Sequence, residues 1–213
     1  MLAPMTVDGA KVLPMMPTLL RAPNGPAEVI ADVLRLLAVL SIVVAAIGWG
    51  LLSGLSFVAV VAVMLIPRVL HVRPAFDITF GLAILFSTWS SVLGVYITTK
   101  WWDLPMHFLT NGICAALLFV VLVRLDVLAD PATLKHPTLS ATVMTTALGL
   151  SIGVLWEFFE WFGHRFIDEE IFVGYEDSLG DLVVGGLGSL LAGLAMKYLM
   201  ARPREVSRPR VKA

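Results

Sequence analysis

Asp103 and His107 stand four residues apart, Glu157, Glu160 and His164 follow one another at steps of three and four, and Asp177 and Asp181 repeat the four-residue step. On an α-helix such steps place both members of a pair on one face, about a turn apart. Carboxylates and imidazoles are the groups that hold divalent metals. Helical bundles with paired carboxylates use similar spacing to hold two of them. Oxygen-rich donor sets with one or two imidazoles suit Zn, Mn, Fe or Mg. Carboxylates crowded into one low-dielectric place must share protons or be neutralised by a cation. The metal-ligand candidates are therefore Asp103, His107, Glu157, Glu160, Asp177 and Asp181. His164, further out along its helix, reads as an interfacial residue rather than a ligand.

The elements that must position these residues are membrane helices. The 213-residue chain is 58% hydrophobic and 15% charged, with mean hydropathy +0.89. Soluble domains carry about 25% charge, and a core of this length cannot bury so much apolar surface, so lipid must cover part of it. That excludes a soluble enzyme and leaves the bilayer as the first partner. No nucleic-acid partner is expected. A single cysteine, Cys114, excludes an intramolecular disulfide. No cleaved signal peptide is expected, because the first apolar run continues past any plausible cleavage point.

That run, Leu36 to Ile66, is free of charge. As one helix it would be about 46 Å long, too long for a hydrocarbon core of roughly 30 Å. Gly48, Trp49, Gly50, Ser53 and Gly54 mark a turn in its middle. The expected fold class is thus an all-α polytopic membrane bundle of six spans: Ala31–Trp49, Leu51–Leu70, Phe76–Thr98, Pro105–Leu125, Ser140–Phe166 and Asp177–Ala201. Residues 1–28, with five prolines, read as a disordered cytoplasmic tail, 29–201 as the bundle, and 202–213 as a basic cytoplasmic tail. This layout puts 13 of the 15 Lys and Arg residues on one side and only Lys100 and Arg165 on the other. The positive-inside rule then places both termini in the cytoplasm. Nine of the sixteen acids, including the five acidic metal candidates, lie on the opposite, outer side.

Helical phase suggests how the spans meet. Gly149, Gly153, Glu157, Glu160 and His164 share an arc of about 80°, as do Asp177, Asp181, Gly185, Gly188 and Ala192. Small residues at i, i+4 allow close approach of membrane helices. Packing of spans five and six through Gly149/Gly153 and Gly185/Gly188 would bring their acids together. Span four adds Asp103, His107, Thr110, Asn111 and Cys114 within about 100°. Span three adds a stripe of Ser87, Ser91, Gly94 and Thr98. Asp77 reads as a helix N-cap, Arg35 as a side chain that snorkels to the inner interface, and Trp101, Trp102, Trp156 and Trp161 as an aromatic belt.

Asp103-x3-His107, Trp156-Glu157-x2-Glu160, and Tyr175-x-Asp177-x3-Asp181 followed by Gly185–Gly186 resemble the YjdF-like family of bacterial inner-membrane proteins over about residues 70–200. The family pattern has Asp-Thr where this chain has Asp177–Ser178, and an Asn near the glycines of the last span, where this chain has Val184 and Gly185. The resemblance implies a bacterial plasma-membrane location and supplies no activity.

Charges inside a membrane are costly and mark functional sites by default. The leading functional expectation is a metal-dependent, membrane-embedded hydrolase acting on a lipid or envelope substrate. The alternatives are a cation- or proton-coupled transporter and a non-enzymatic assembly partner. A solvated outer rim with interhelical hydrogen bonds is the competing reading of the acids themselves.

Overall fold

A computed structural model describes residues 5–7, 10–12, 21–169, 171 and 173–201. The expectations for the two tails fall largely outside them. A three-residue antiparallel pair, β1 (Met5–Val7) with β2 (Ala10–Val12), is the only strand pairing among the described residues. The rest is helical: α1 (Pro26–Trp49), α2 (Leu51–Val69), α3 (Pro74–Val92), α4 (Val95–Thr98), α5 (Asp103–Arg124), α6 (Pro137–Phe166), α7 (Tyr175–Leu194) and α8 (Met196–Leu199). Six of these are long and apolar enough to cross a membrane.

Local chemistry explains the boundaries. Proline opens α1, α3 and α6, where its fixed φ suits a helix start and its missing N–H costs nothing. These starts lie three to five residues before, or two before, the expected ones, as the prolines themselves dictate: Pro26 for Ala31, Pro137 for Ser140, Pro74 for Phe76. Gly50 alone separates α1 from α2, with φ 97°. Only glycine adopts that conformation without strain, so the long apolar run folds back there as expected.

Two spans differ from expectation. The third was expected to continue to Thr98, but α3 ends at Val92. Gly94 takes a left-handed φ of 66°, and the Leu93 and Gly94 N–H groups close onto the Trp89 and Ser91 carbonyls at 2.9 and 3.0 Å. This is a glycine-terminated helix end, and it divides the expected stripe of Ser87, Ser91, Gly94 and Thr98. The last span was expected to run to Ala201, but α7 stops at Leu194. The Ala195 N–H reaches the Leu191 and Ala192 carbonyls at 3.1 Å each, a local tightening that sets off α8 as a separate turn.

The core lies between α1, α2, α3 and α5, around Ala38, Phe57, Phe76, Phe80, Ala116 and Phe119. Helix α5 is the axis of the bundle. It packs on α3, α6 and α7 and is 56% buried along its span, against 33% or less for every other span. The remaining apolar side chains, such as Leu36, Val43, Phe86, Val143 and Val183, are exposed, as a bilayer-facing surface requires.

The glycine contacts correct the expected packing. Gly185 and Gly188 do not face the glycines of α6. A Cβ at Gly188 would stand 1.9 Å from the Phe108 carbonyl oxygen, and one at Gly112 would stand 2.7 Å from the Gly188 oxygen. A Cβ at Gly185 would meet the Asn111 amide at 2.1 Å. Both α7 glycines therefore serve the α5–α7 contact. Helix α6 meets α7 elsewhere: Gly149 receives Ser189, Gly186 receives Leu150, and Gly193 lies against the Thr142 backbone. The stripe was legible, but it serves a three-helix packing rather than a single pair.

At the end opposite the acidic site, Arg35 is buried and does not snorkel. Its Nη2 donates to both Asp77 carboxylate oxygens at 2.5 and 2.6 Å, its Nη1 to Asp32 at 2.9 Å and its Nε to the Met64 carbonyl at 3.0 Å. Asp77 is consequently not an N-cap. It lies within the first turns of α3, whose N-cap is Arg73, and it receives the guanidinium of α1. Arg68 extends the network to Asp32 at 3.2 Å and to the Arg21 carbonyl at 2.6 Å. These bonds tie α1, α2 and α3 together.

Candidate functional site

Helix α5 begins at Asp103, and the next two turns of the same face carry His107 and Asn111. Asp103 is half-buried, whereas His107 and Asn111 are 6% and 5% exposed. Burial follows from the central position of α5. The face that carries these residues is the one on which α6 and α7 close. The small residues of those helices, Gly153 and Gly185, admit the Asn111 side chain between them. One turn further toward the acidic end, α6 presents Glu157 and α7 presents Asp181.

Two groups of ligand atoms result. Asp103, His107 and Asp181 offer atoms all within 4.8 Å of one another, and so do His107, Glu157 and Glu160. His107 belongs to both. Its Nε2 lies 3.3 Å from Asp103 Oδ1 and 4.0 Å from Asp181 Oδ2. Four of the other five sequence candidates thus converge on the His107 imidazole. Asp177 stands outside both groups, half-buried one turn beyond Asp181 and within electrostatic reach of Asp103 and Glu157.

Asp181 is 2% exposed, and its Oδ2 has no hydrogen-bond partner. Glu157 Oε1 and Asn111 Nδ2 are likewise buried without one. Leaving a buried polar atom unpaired costs about 1–3 kcal/mol, more when it is charged. Three such atoms within two successive turns of the bundle form the largest concentration of unmet polar demand among the described residues.

The surrounding aromatics hold the site. Trp156 Nε1 donates to Glu160 Oε1 at 2.8 Å, one turn along the same helix, so it orients a candidate ligand besides lying at the rim. Trp102 Nε1 donates to Ser90 at 2.9 Å, tying the start of α5 to α3. His164, as expected, is not in either group; its Nδ1 pairs with the Ile171 carbonyl at 2.7 Å and secures the connection after α6. Tyr96 is a residue that sequence reasoning missed. Its hydroxyl pairs with Ser87 Oγ at 3.0 Å. Burial, foremost, pushes its phenol up to about 12; the Ser87 bond opposes this and the Asp103 and Glu160 charges add to it. It therefore stays a neutral O–H group beside the acids. The signal that could have found it is Gly94, which ends α3 and turns Tyr96 back toward the bundle.

Fold and site together define a polytopic membrane protein with a buried carboxylate–imidazole cluster at one end of the bundle. Residues 29–202 match the family described as predicted membrane protein (DUF2238), and the chain belongs to that family. The match agrees with the resemblance to the YjdF-like proteins and extends it over all six spans. No curated protein and no solved structure matches the chain.

Proposed function

We propose that this protein is a divalent-cation-dependent, membrane-embedded hydrolase of the bacterial plasma membrane, with its site at the outer face and both termini in the cytoplasm. Asp103, His107 and Asp181 would hold a cation, and Glu157 and Glu160, which meet the same imidazole, would hold a second, with Asp177 a further carboxylate nearby. A cation there would supply Lewis acidity and an activated water for attack on a lipid or envelope substrate. The observation that carries this reading is the pair of three-ligand groups within 4.8 Å sharing one buried imidazole. The 13-to-2 division of basic residues supports the orientation.

The distribution of charge favours local chemistry over transport. Between Asn111 and the Arg35–Asp77 network, the spans carry no Asp, Glu, Lys, Arg or His. A proton or cation relay across the bundle would need such groups in that layer.

The test is metal content of the purified full chain, measured by plasma mass spectrometry after dialysis against a defined Zn²⁺, Mn²⁺, Fe²⁺ or Mg²⁺ mixture. Wild type is expected to retain at least one cation per chain. Asp181→Asn and Glu157→Gln should weaken retention about tenfold or more, the scale of losing one ligand-site interaction, while Glu169→Gln should not. Equal metal content in all four proteins, or none in wild type, would defeat the reading.

A further inference from the structure

Asn111 is unlike every other member of the site. It is a neutral amide whose donor has no partner, unlike Trp156, whose N–H is taken by Glu160, and no part of the cation-binding role requires it. Two glycines from two helices make room for it: a Cβ at Gly185 would stand 2.1 Å from Asn111 Nδ2, and one at Gly153 would stand 3.0 Å from the same atom. The amide is 5% exposed, and its Nδ2 has no hydrogen-bond partner. His107, Glu157 and Asp181 each stand one helical turn further toward the acidic end than Asn111, Gly153 and Gly185 respectively, so the amide forms the floor beneath the cluster. Its Nδ2 lies between Gly153 and Gly185, one turn beneath Glu157 Oε1 and Asp181 Oδ2, which are also buried without a partner.

The chemistry of a guest follows from what remains unmet. Once cations occupy the carboxylates, the acceptor oxygens of Glu157 and Asp181 are consumed. The guest then faces cations on one side and an N–H donor on the floor. Both require acceptor oxygens, and neither offers anything to a guest hydroxyl that must donate. A carboxylate presents only two oxygens. A phosphate-type group presents three or four, enough to meet both three-ligand groups and the floor together. A packed side-chain donor beneath an oxyanion favours such a group, because charge-assisted hydrogen bonds are roughly twice as strong as neutral ones.

Resting on the cation reading above, we propose that Asn111 is a specificity-determining residue that donates a hydrogen bond from Nδ2 to a phosphate-type oxyanion held in the same site. The guest is a phosphate group, either free or as a lipid headgroup. Gly153 and Gly185 belong to this device, since any side chain there would displace the amide.

The test uses the full chain in neutral detergent micelles. Mn²⁺ binding is measured first, then binding of inorganic phosphate to the Mn²⁺-loaded protein by equilibrium dialysis. Wild type should bind Mn²⁺ and, only when loaded, phosphate. Asn111→Leu should keep its Mn²⁺ affinity within about threefold and lose phosphate affinity by about tenfold or more, the loss expected for a hydrogen bond to a charged group. Asn111→Asp preserves the side-chain shape and places a negative charge on the floor. It should likewise keep Mn²⁺ and lose phosphate, so the test survives if the leucine variant does not fold. A short-chain phosphatidic acid that displaces phosphate at lower concentration identifies a lipid headgroup as the guest; failure to displace it identifies a soluble phosphate. If wild type does not bind Mn²⁺, the cation it retains from the Zn²⁺, Fe²⁺ and Mg²⁺ set takes its place, and retention of none would overturn the cation reading and this inference with it. Mn²⁺ binding without phosphate binding, or phosphate bound equally well by both Asn111 variants, would overturn this inference and leave the cation reading standing.

Discussion

At the scale of single residues, the two ends of the bundle handle charge in opposite ways. At the basic end Asp32, Asp77, Arg35 and Arg68 are all paired, and Arg35 uses Nε, Nη1 and Nη2 together. At the acidic end, buried oxygens of Glu157 and Asp181 lack one. The first pattern is that of a structural clamp, and the second is the unmet demand that the proposed cation would satisfy. Removing one member of a buried ion pair leaves the other uncompensated, at a cost of about 3–5 kcal/mol. Asp77→Ala should therefore lower the thermal midpoint of the detergent-purified protein by several degrees, while leaving cation binding by the folded fraction unchanged. Asp177→Ala, which removes a half-buried acid outside both ligand groups, should change stability far less. A midpoint shift for Asp77→Ala no larger than that for Asp177→Ala would show that the clamp is incidental.

At the scale of elements, the decisive contact is α5 against α7. Gly188 stands against the Phe108 carbonyl, and backbone cannot move aside as a flexible side chain can. Gly188→Ala should force the two helices apart, with an overpacking cost of about 1–3 kcal/mol and a loss of cation affinity, because Asp181 rides on the same helix. Gly48→Ala is the matched control. Nothing lies within 4 Å of a Cβ there, and alanine is favoured over glycine within a helix by up to about 1 kcal/mol. That variant should be neutral or slightly more stable. Thermal melts of the two variants, with cation binding measured alongside, separate these outcomes. Similar melts for both would mean that the close approach of α5 and α7 contributes little.

At the scale of the whole molecule, orientation and ligand linkage are the quantities to measure. Reporter fusions after Lys212 and between Asp168 and Glu169 should report opposite sides, with the first cytoplasmic, as the positive-inside bias requires. The same side for both would break the six-span layout. A cation that binds only the folded bundle should stabilise it by about 2.7 kcal/mol at one hundred times its Kd. The melting temperature of wild type should accordingly rise with added Mn²⁺ and fall again with chelator, and Asp181→Asn should need about tenfold more Mn²⁺ for the same rise.

Much of this was legible in the residues alone. Hydropathy and length determined six spans, because the bilayer sets one thickness for every crossing. Gly50 announced the first hairpin, and the 3.6-residue period put the acids of each helix on one face. All six candidate ligands could be named before any packing was known, since i, i+3 and i, i+4 steps are local facts. Tertiary structure decided what periodicity leaves open, which is the partner each face meets. It turned Gly185 and Gly188 toward α5 rather than α6 and made His107 the member common to both ligand groups. It also carried Asp77 from a presumed cap to the buried Arg35, and it placed Asn111 between two glycines beneath the acids. Helical phase specifies the direction of a side chain about its own axis. Which neighbour lies in that direction depends on how all six helices share one interior, and no single helix encodes that.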